Sequence, residues 1–197
     1  MSTNSIYSED HSDKVQKEFT LSVLTEDKAG LLNHITIVFN RRKMNISSLN
    51  VSTTEVPGVS RFTIVLTSTR EMIEKVVKQI RKLIDVLGAF VYEEDQIYYQ
   101  EIALYKLPTH IFMGGVKVEN IVRSHGARIL AIEEDHIVIE KTGHKAETHK
   151  LYDELEPLGI LEFVRSGRVA ISKSKRKTQN FLKELEEIKS NQLSIES

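Results

Sequence analysis

Seven histidines are the first residues to weigh for chemistry in this 197-residue chain. His144 and His149 stand five apart and so do not share a helix face, and the sequence holds no HExxH and no clustered Asp/His ligand set. With zero cysteines there are also no thiolate ligands, no thiolate nucleophiles and no disulfides. No metal is expected. The adjacent pairs Glu93-Glu94 and Glu133-Glu134 place their carboxylates pointing apart on a strand or turn, which suits solvated acid better than an acid/base pair. Gly114-Gly115 fits neither GxGxxG nor GxxxxGK[ST] and reads as a turn, and there is no GxSxG elbow. The chain reads as non-catalytic.

One chemistry remains, the capture of a small anion by a helix N-terminus. In the stretch Phe19 to Val51, Phe19, Leu21 and Val23 alternate with polar residues as in a strand, which breaks at Thr25-Glu26-Asp27-Lys28. Ala29-Gly30 then opens a helix with Leu31, Leu32, Ile35, Val38 and Phe39 on one face, ending in the basic Arg41-Arg42-Lys43. Asn45 begins a second strand through Ile46, Leu49 and Val51. The first N–H groups of a helix have no intrahelical partner, so they can hold a carboxylate, and Gly30 removes the side chain that would block its approach. Each residue also has a plain structural reading: Asp27 as a helix N-cap, Gly30 in packing, Asn45 as the exit from the helix.

The elements that must position this terminus follow in order. Glu55-Val56-Pro57-Gly58 is a turn, Arg61 to Thr67 a strand, and Ser68-x-x-Glu71 a capping box for a helix striped by Met72, Ile73, Val76, Val77, Ile80, Leu83 and Ile84. Val86 to Tyr92 is a fourth strand. The second half repeats this order, with a strand at Gln100 to Lys106, a helix at Val116 to His125 and a hairpin of Arg128 to Ile132 with His136 to Glu140. A helix over Ala146 to Leu158 and an extended stretch from Leu161 to Ile171 complete it. The expected class is α+β, two tandem ferredoxin-like βαββαβ domains at 18–95 and 99–175, after a disordered leader at 1–17 and before a helical tail at 176–197. Around SKSKRK the tail is a solvated basic run. Its apolar face through Phe181, Leu182, Leu185 and Ile188 leaves open a docking helix for a partner or packing back on its own domain.

Composition narrows the function classes. Forty per cent hydrophobic residues suffice for a core, and 27 basic against 28 acidic residues argue against a general nucleic-acid binder. The leader lacks the apolar segment of a signal peptide, no long apolar run occurs elsewhere, and the reading is cytoplasmic with no membrane association.

The segments DKAGLLNHITIVFNRRKMNISSLNV, GVSRFTIVL, KQIRKLIDVL and VRSGRVAISK, at these separations, resemble the regulatory small subunit of acetohydroxyacid synthase, also called acetolactate synthase. The resemblance implies an N-terminal ACT domain, a homodimer, and a non-enzymatic subunit that binds and activates a separate catalytic subunit. It also implies feedback inhibition by a branched-chain amino acid, valine above all. Thiamin diphosphate, FAD and magnesium would reside on the catalytic subunit, with no cofactor on this chain. The valine site implied comprises Asp27, Gly30, Leu31, Leu32 and Asn33, with Asn45 and Ile46 from the neighbouring protomer. Asp27 stands where the family commonly has Asn, and Asn33 where it has Ser. Two other classes remain in view at this point: a free-standing ACT-type sensor acting on another enzyme or a transcription factor, and an RNA-binding ferredoxin-like domain. The second is disfavoured because FTIVLT offers a single aromatic, Phe62.

Overall fold

The computed structural model describes residues 15–113, 117–175, 178 and 180–184. The expectations for a leader up to residue 14, for Gly114-Gly115 and for most of the tail lie outside these residues. The chain forms two compact units, one running to Ile97 and taking up the chain again from Ser172, the other spanning Tyr98–Ile171.

In the first unit β1 (Lys17–Glu26), α1 (Leu31–Asn40), β2 (Ser48–Thr53), β3 (Val59–Ser68), α2 (Arg70–Ile80) and β4 (Val86–Tyr92) build an antiparallel sheet of order β2-β3-β1-β4. This is the βαββαβ arrangement expected. Alternation along β1 sends Phe19, Leu21 and Val23 to one face, where they meet Ile35, Val38 and Phe39 of α1 and Ile73, Val76, Val77 and Ile80 of α2. Helix α1 stops in a Schellman arrangement, with Lys43 N–H to Asn40 O at 3.0 Å, Met44 N–H to Phe39 O at 3.1 Å, and Lys43 itself at φ 53°.

Several local expectations are corrected. Leu32 is 44% exposed rather than on the core face, because the helix begins only at Leu31 and its buried stripe is Leu31, Ile35, Val38 and Phe39. The cap of α2 is Thr69, whose hydroxyl accepts from Met72 N–H; Ser68 is instead the buried last residue of β3. Met72 faces solvent because the buried stripe of α2 is Ile73, Val76, Val77 and Ile80, and Ile84 does so because α2 ends at Ile80, before reaching it. Asn45 and Ile46 precede β2, which starts at Ser48, and the basic residues after α1 lie beyond its last turn.

The second unit contains β5 (Ile97–Pro108), the short α3 (His110–Met113), α4 (Lys117–Ser124), β6 (Arg128–Ile132), β7 (His136–Gly143), α5 (Lys145–Leu155), β8 (Glu162–Arg165) and β9 (Val169–Ser172). Its sheet has the same order, β6-β7-β5-β8, with β9 also on β5. The expected single extended stretch is thus broken at 166–168. There Ser166 occupies both backbone groups of Ile102, its N–H donating to Ile102 O at 2.8 Å and its Oγ accepting from Ile102 N–H at 2.9 Å. Arg165 precedes this break and Arg168 ends it, with Nε 3.2 Å and 3.9 Å from the buried carboxylate of Glu101. The Arg168 guanidinium also lies 3.7 Å from the ring centroid of Tyr99.

Candidate functional site

The junction of β1 and α1 is a four-residue loop, Asp27 to Gly30, exposed throughout and fastened at several points. Glu26 N–H donates to Asp85 O at 3.0 Å, and Asp27 N–H to Gly58 O at 2.9 Å in the β2–β3 turn. Ser60 Oγ donates to Asp27 Oδ1 at 2.9 Å. Lys28 Nζ pairs with Glu26 and, at 3.1 Å, with Asp85; hydrogen bonds to these two carboxylates, Glu26 first, raise its pKa above the usual lysine range. The backbone at this junction is therefore held by both neighbouring strands. Its positive side chain is already neutralised.

Gly30 is the N-cap, at φ 87° and ψ −12°, a left-handed conformation that L side chains adopt at a cost of about 1–2 kcal/mol. No atom lies within 4 Å of where its Cβ would stand. The space beside it is open. Gly30 O accepts from Asn33 N–H at 3.0 Å and His34 N–H at 3.3 Å, so the intrahelical ladder starts there. Among the described residues the N–H groups of Gly30, Leu31 and Leu32 meet no protein acceptor, and no side chain caps the helix. Asp27, weighed above as a helix cap, instead accepts from Ser60. The first turn of α1 also carries no acidic residue. The result is a set of unpartnered donors at the positive end of a helix dipole, with no capping side chain and no acid within the helix's first turn.

Asp27, Gly30, Leu31, Leu32 and Asn33 are brought together here, Leu31 offering only its backbone because its side chain is in the core. Asn45 and Ile46 are not. They follow the opposite end of α1, which at ten residues is about 15 Å long, so they lie a helix length from Gly30 in the same chain. Asn45 is exposed and Ile46 is half-buried against the first core. Sequence reading missed Ser60 and Asp85, which fasten the loop from β3 and from the α2–β4 turn. Only the strand register, in which Thr25 faces Ser60, brings Ser60 to Asp27. Among the described residues there is no group of three or more His, Asp or Glu placed to hold a metal, and no helix long and apolar enough to cross a membrane.

A ferredoxin-like unit whose first strand runs through a left-handed glycine into an unneutralised helix start is the design of an ACT domain, and the family model "AHAS small subunit-like ACT domain" matches residues 21–88. A second model, "Small subunit of acetolactate synthase", matches residues 100–174. The chain is 38% identical over 157 residues to the acetolactate synthase small subunit of Mycolicibacterium smegmatis, covering 80% of this chain and 92% of that one. It is 32% identical over 160 residues to the Bacillus subtilis acetolactate synthase small subunit, covering 81% and 91%. The crystal structure of the Thermotoga maritima acetolactate synthase small subunit superposes with a TM-score of 0.73 at 26% identity, over 81% of this chain and 99% of that chain. The chain belongs to the acetolactate synthase small-subunit family.

Proposed function

We propose that this chain is the regulatory subunit of a thiamin diphosphate-dependent acetolactate synthase, which it binds, activates and makes sensitive to valine or a related branched-chain amino acid. The observation that carries the effector reading is the set of unpartnered N–H groups at Gly30, Leu31 and Leu32, opening on empty space beside a glycine. An amino acid's carboxylate fits these donors, where hydrogen bonds and the helix dipole both favour negative charge. Its ammonium group needs an acceptor. Asp27 supplies one: Oδ1 is engaged by Ser60, and Oδ2 has no protein partner among the described residues.

The loop is exposed in the single chain, and Asn45 and Ile46 stand a helix length away. A homodimer in which the second protomer lends these two residues would close the site. FAD, magnesium and thiamin diphosphate would be bound by the catalytic subunit in the cytoplasm, and this chain would act without a cofactor. The test is to mix the purified chain with its catalytic subunit and follow acetolactate formation from pyruvate with and without valine. Activation that valine reverses is expected. No binding and no change in rate would overturn this reading and leave a sensor for another enzyme. At the site, Asp27→Asn is expected to weaken valine binding about tenfold, by loss of a charge-assisted hydrogen bond to the ammonium group; tighter binding would show that Asp27 faces the carboxylate instead.

A further inference from the structure

Beyond the residues matched by either family model, at 21–88 and 100–174, the chain continues into a helical segment containing Thr178 and residues 180–184. This segment lies on the first unit, on the face of its sheet opposite α1 and α2. Val23 points into the helix-covered core, so its neighbour Leu24 points the other way, and there Leu24 and Val59 form a separate buried cluster with Leu182, which is only 8% exposed. Phe181 joins this cluster and meets the Phe90 ring edge-on, with centroids 5.0 Å apart and planes at 72°. Thr178 Oγ1 accepts from Arg61 Nη2 at 3.1 Å. Residues 178, 181 and 182 have the i, i+3, i+4 spacing of one helix face.

The sheet is shaped for this contact. A Cβ on Gly88 would stand 2.6 Å from Phe181 Cε1, 2.8 Å from its Cζ and 3.2 Å from Phe90 Cε2, so only glycine leaves the ring its seat. The strand ends beneath the helix are those that carry the β1–α1 loop. Val59 lies between Gly58, whose carbonyl accepts from Asp27 N–H, and Ser60, whose hydroxyl donates to Asp27 Oδ1. Leu24 pairs with Gly88 on one side and Arg61 on the other, three residues before Asp27.

We infer that Phe181 and Leu182 are positioning residues for the effector loop: the C-terminal helix clamps the strand ends of Leu24 and Val59 and so fixes the hydrogen bonds that hold Asp27. The inference deepens the effector reading proposed above and rests on it for its functional part. Pre-organising a loop raises ligand affinity by removing the cost of ordering it on binding. Removing the clamp therefore weakens the effector without altering any group that touches it.

The test uses the full chain, its Phe181→Ala/Leu182→Ala variant, Gly88→Ala, and Gly88→Ala combined with Phe181→Ala. Amide hydrogen exchange is followed at Asp27 and at Val76 and Val77 of α2, and L-valine is titrated calorimetrically. Unseating the ring from either side is expected to speed exchange at Asp27 about tenfold, with Val76 and Val77 unchanged. Valine affinity falls about fivefold. Gly88→Ala adds little once Phe181 is alanine, because the 2.6 Å and 2.8 Å contacts are gone and only Phe90 Cε2, at 3.2 Å, must still give way by a few tenths of an ångström. Unchanged exchange at Asp27, or equal acceleration at Val76 and Val77, overturns the inference. If the unaltered chain binds no valine while Asp27 exchange responds as described, the clamp stands and the effector assignment fails. If valine binds equally well to all variants, the clamp has no hold on the site.

Discussion

The two units have one topology and different junctions between first strand and first helix. In the first, β1 ends at Glu26 and α1 begins at Leu31, so four residues carry the chain straight into a helix start with free donors. In the second, β5 ends at Pro108 and α4 begins at Lys117, and the chain between them makes the extra helix α3. The helix exits differ in the opposite sense. Both α1 and α4 end in paired Schellman bonds, Lys43 to Asn40 with Met44 to Phe39, and Gly126 to Arg123 with Ala127 to Val122. Yet the left-handed position is Lys43, at φ 53°, in the first unit and Gly126, at φ 57°, in the second. Shared strand order therefore says where helices pack. The unpartnered helix-start donors lie at the first unit's junction, and in the second unit the polar investment goes into the Glu101 cluster.

The sharpest break in this comparison comes from adding an acid at one left-handed glycine in each unit, Gly30 and Gly126. Gly30→Asp puts strain, bulk and negative charge beside the free N–H groups, and valine affinity is expected to fall on the order of a hundredfold or more. Gly126→Asp has the same backbone penalty and should leave valine titrations unchanged while lowering the melting temperature. Loss of valine binding in both variants would show that the site is not confined to the first unit.

The next effect belongs to the second unit. Glu101→Gln removes the carboxylate that Arg165 and Arg168 both face, the latter only 3% exposed, and so takes a negative charge from beside a buried cation. Breaking such a pair costs roughly 3 kcal/mol. Denaturant titration should show that loss with effector affinity intact; an unchanged midpoint would mean that the arginine's other contacts, the Tyr99 ring among them, suffice to hold it.

A smaller effect depends on pH. Tyr105 donates to Thr148 O at 2.6 Å within the second core, and burial pushes its pKa from 10 up to about 12. The folded state therefore keeps the proton that the unfolded state releases first. Its stabilisation is complete below pH 10 and is lost as pH rises towards 12. Tyr105→Phe should cost about 1 kcal/mol near neutrality through the lost hydrogen bond, and should flatten this alkaline decline in a series of unfolding curves.

The smallest effect returns to the helix exits. Lys43→Gly is expected to stabilise the first unit by about 1 kcal/mol and Gly126→Ala to destabilise the second by a similar amount, read from the two melting temperatures. Equal signs would mean that Lys43 makes a compensating contact.

Much of this architecture was legible because period and turn chemistry are local. Val86 to Tyr92 is the strand expected, and the turn at Glu133-Glu134-Asp135 joins β6 to β7 as read. Gly30 and the residues after it were legible as an anion-ready helix start because glycine after a broken strand is a short-range signal. The misreadings share a cause, in that phase is set by neighbours outside the window. Leu32 turns outward because Gly30 fixes where the helix begins, and Thr69 takes the cap because β3 extends to Ser68. The Ser60–Asp27 bond needs a strand register, and the tail left two destinations open. Of its apolar face, Phe181 and Leu182 pack back, but on the first unit rather than on the domain that precedes them, and no local pattern points there.

The break at 166–168 also sets a rule of counting. In an uninterrupted strand, residues three apart face opposite sides, yet Arg165 and Arg168 both reach Glu101. The extra step taken at Ser166 changes odd to even, so Phe163 and Arg165 before it and Arg168 after it share a side. Chain length in this short connection is thus a coded quantity. Adding or removing one residue there would turn one arginine away from its carboxylate, although the same change in an ordinary surface loop would pass unnoticed.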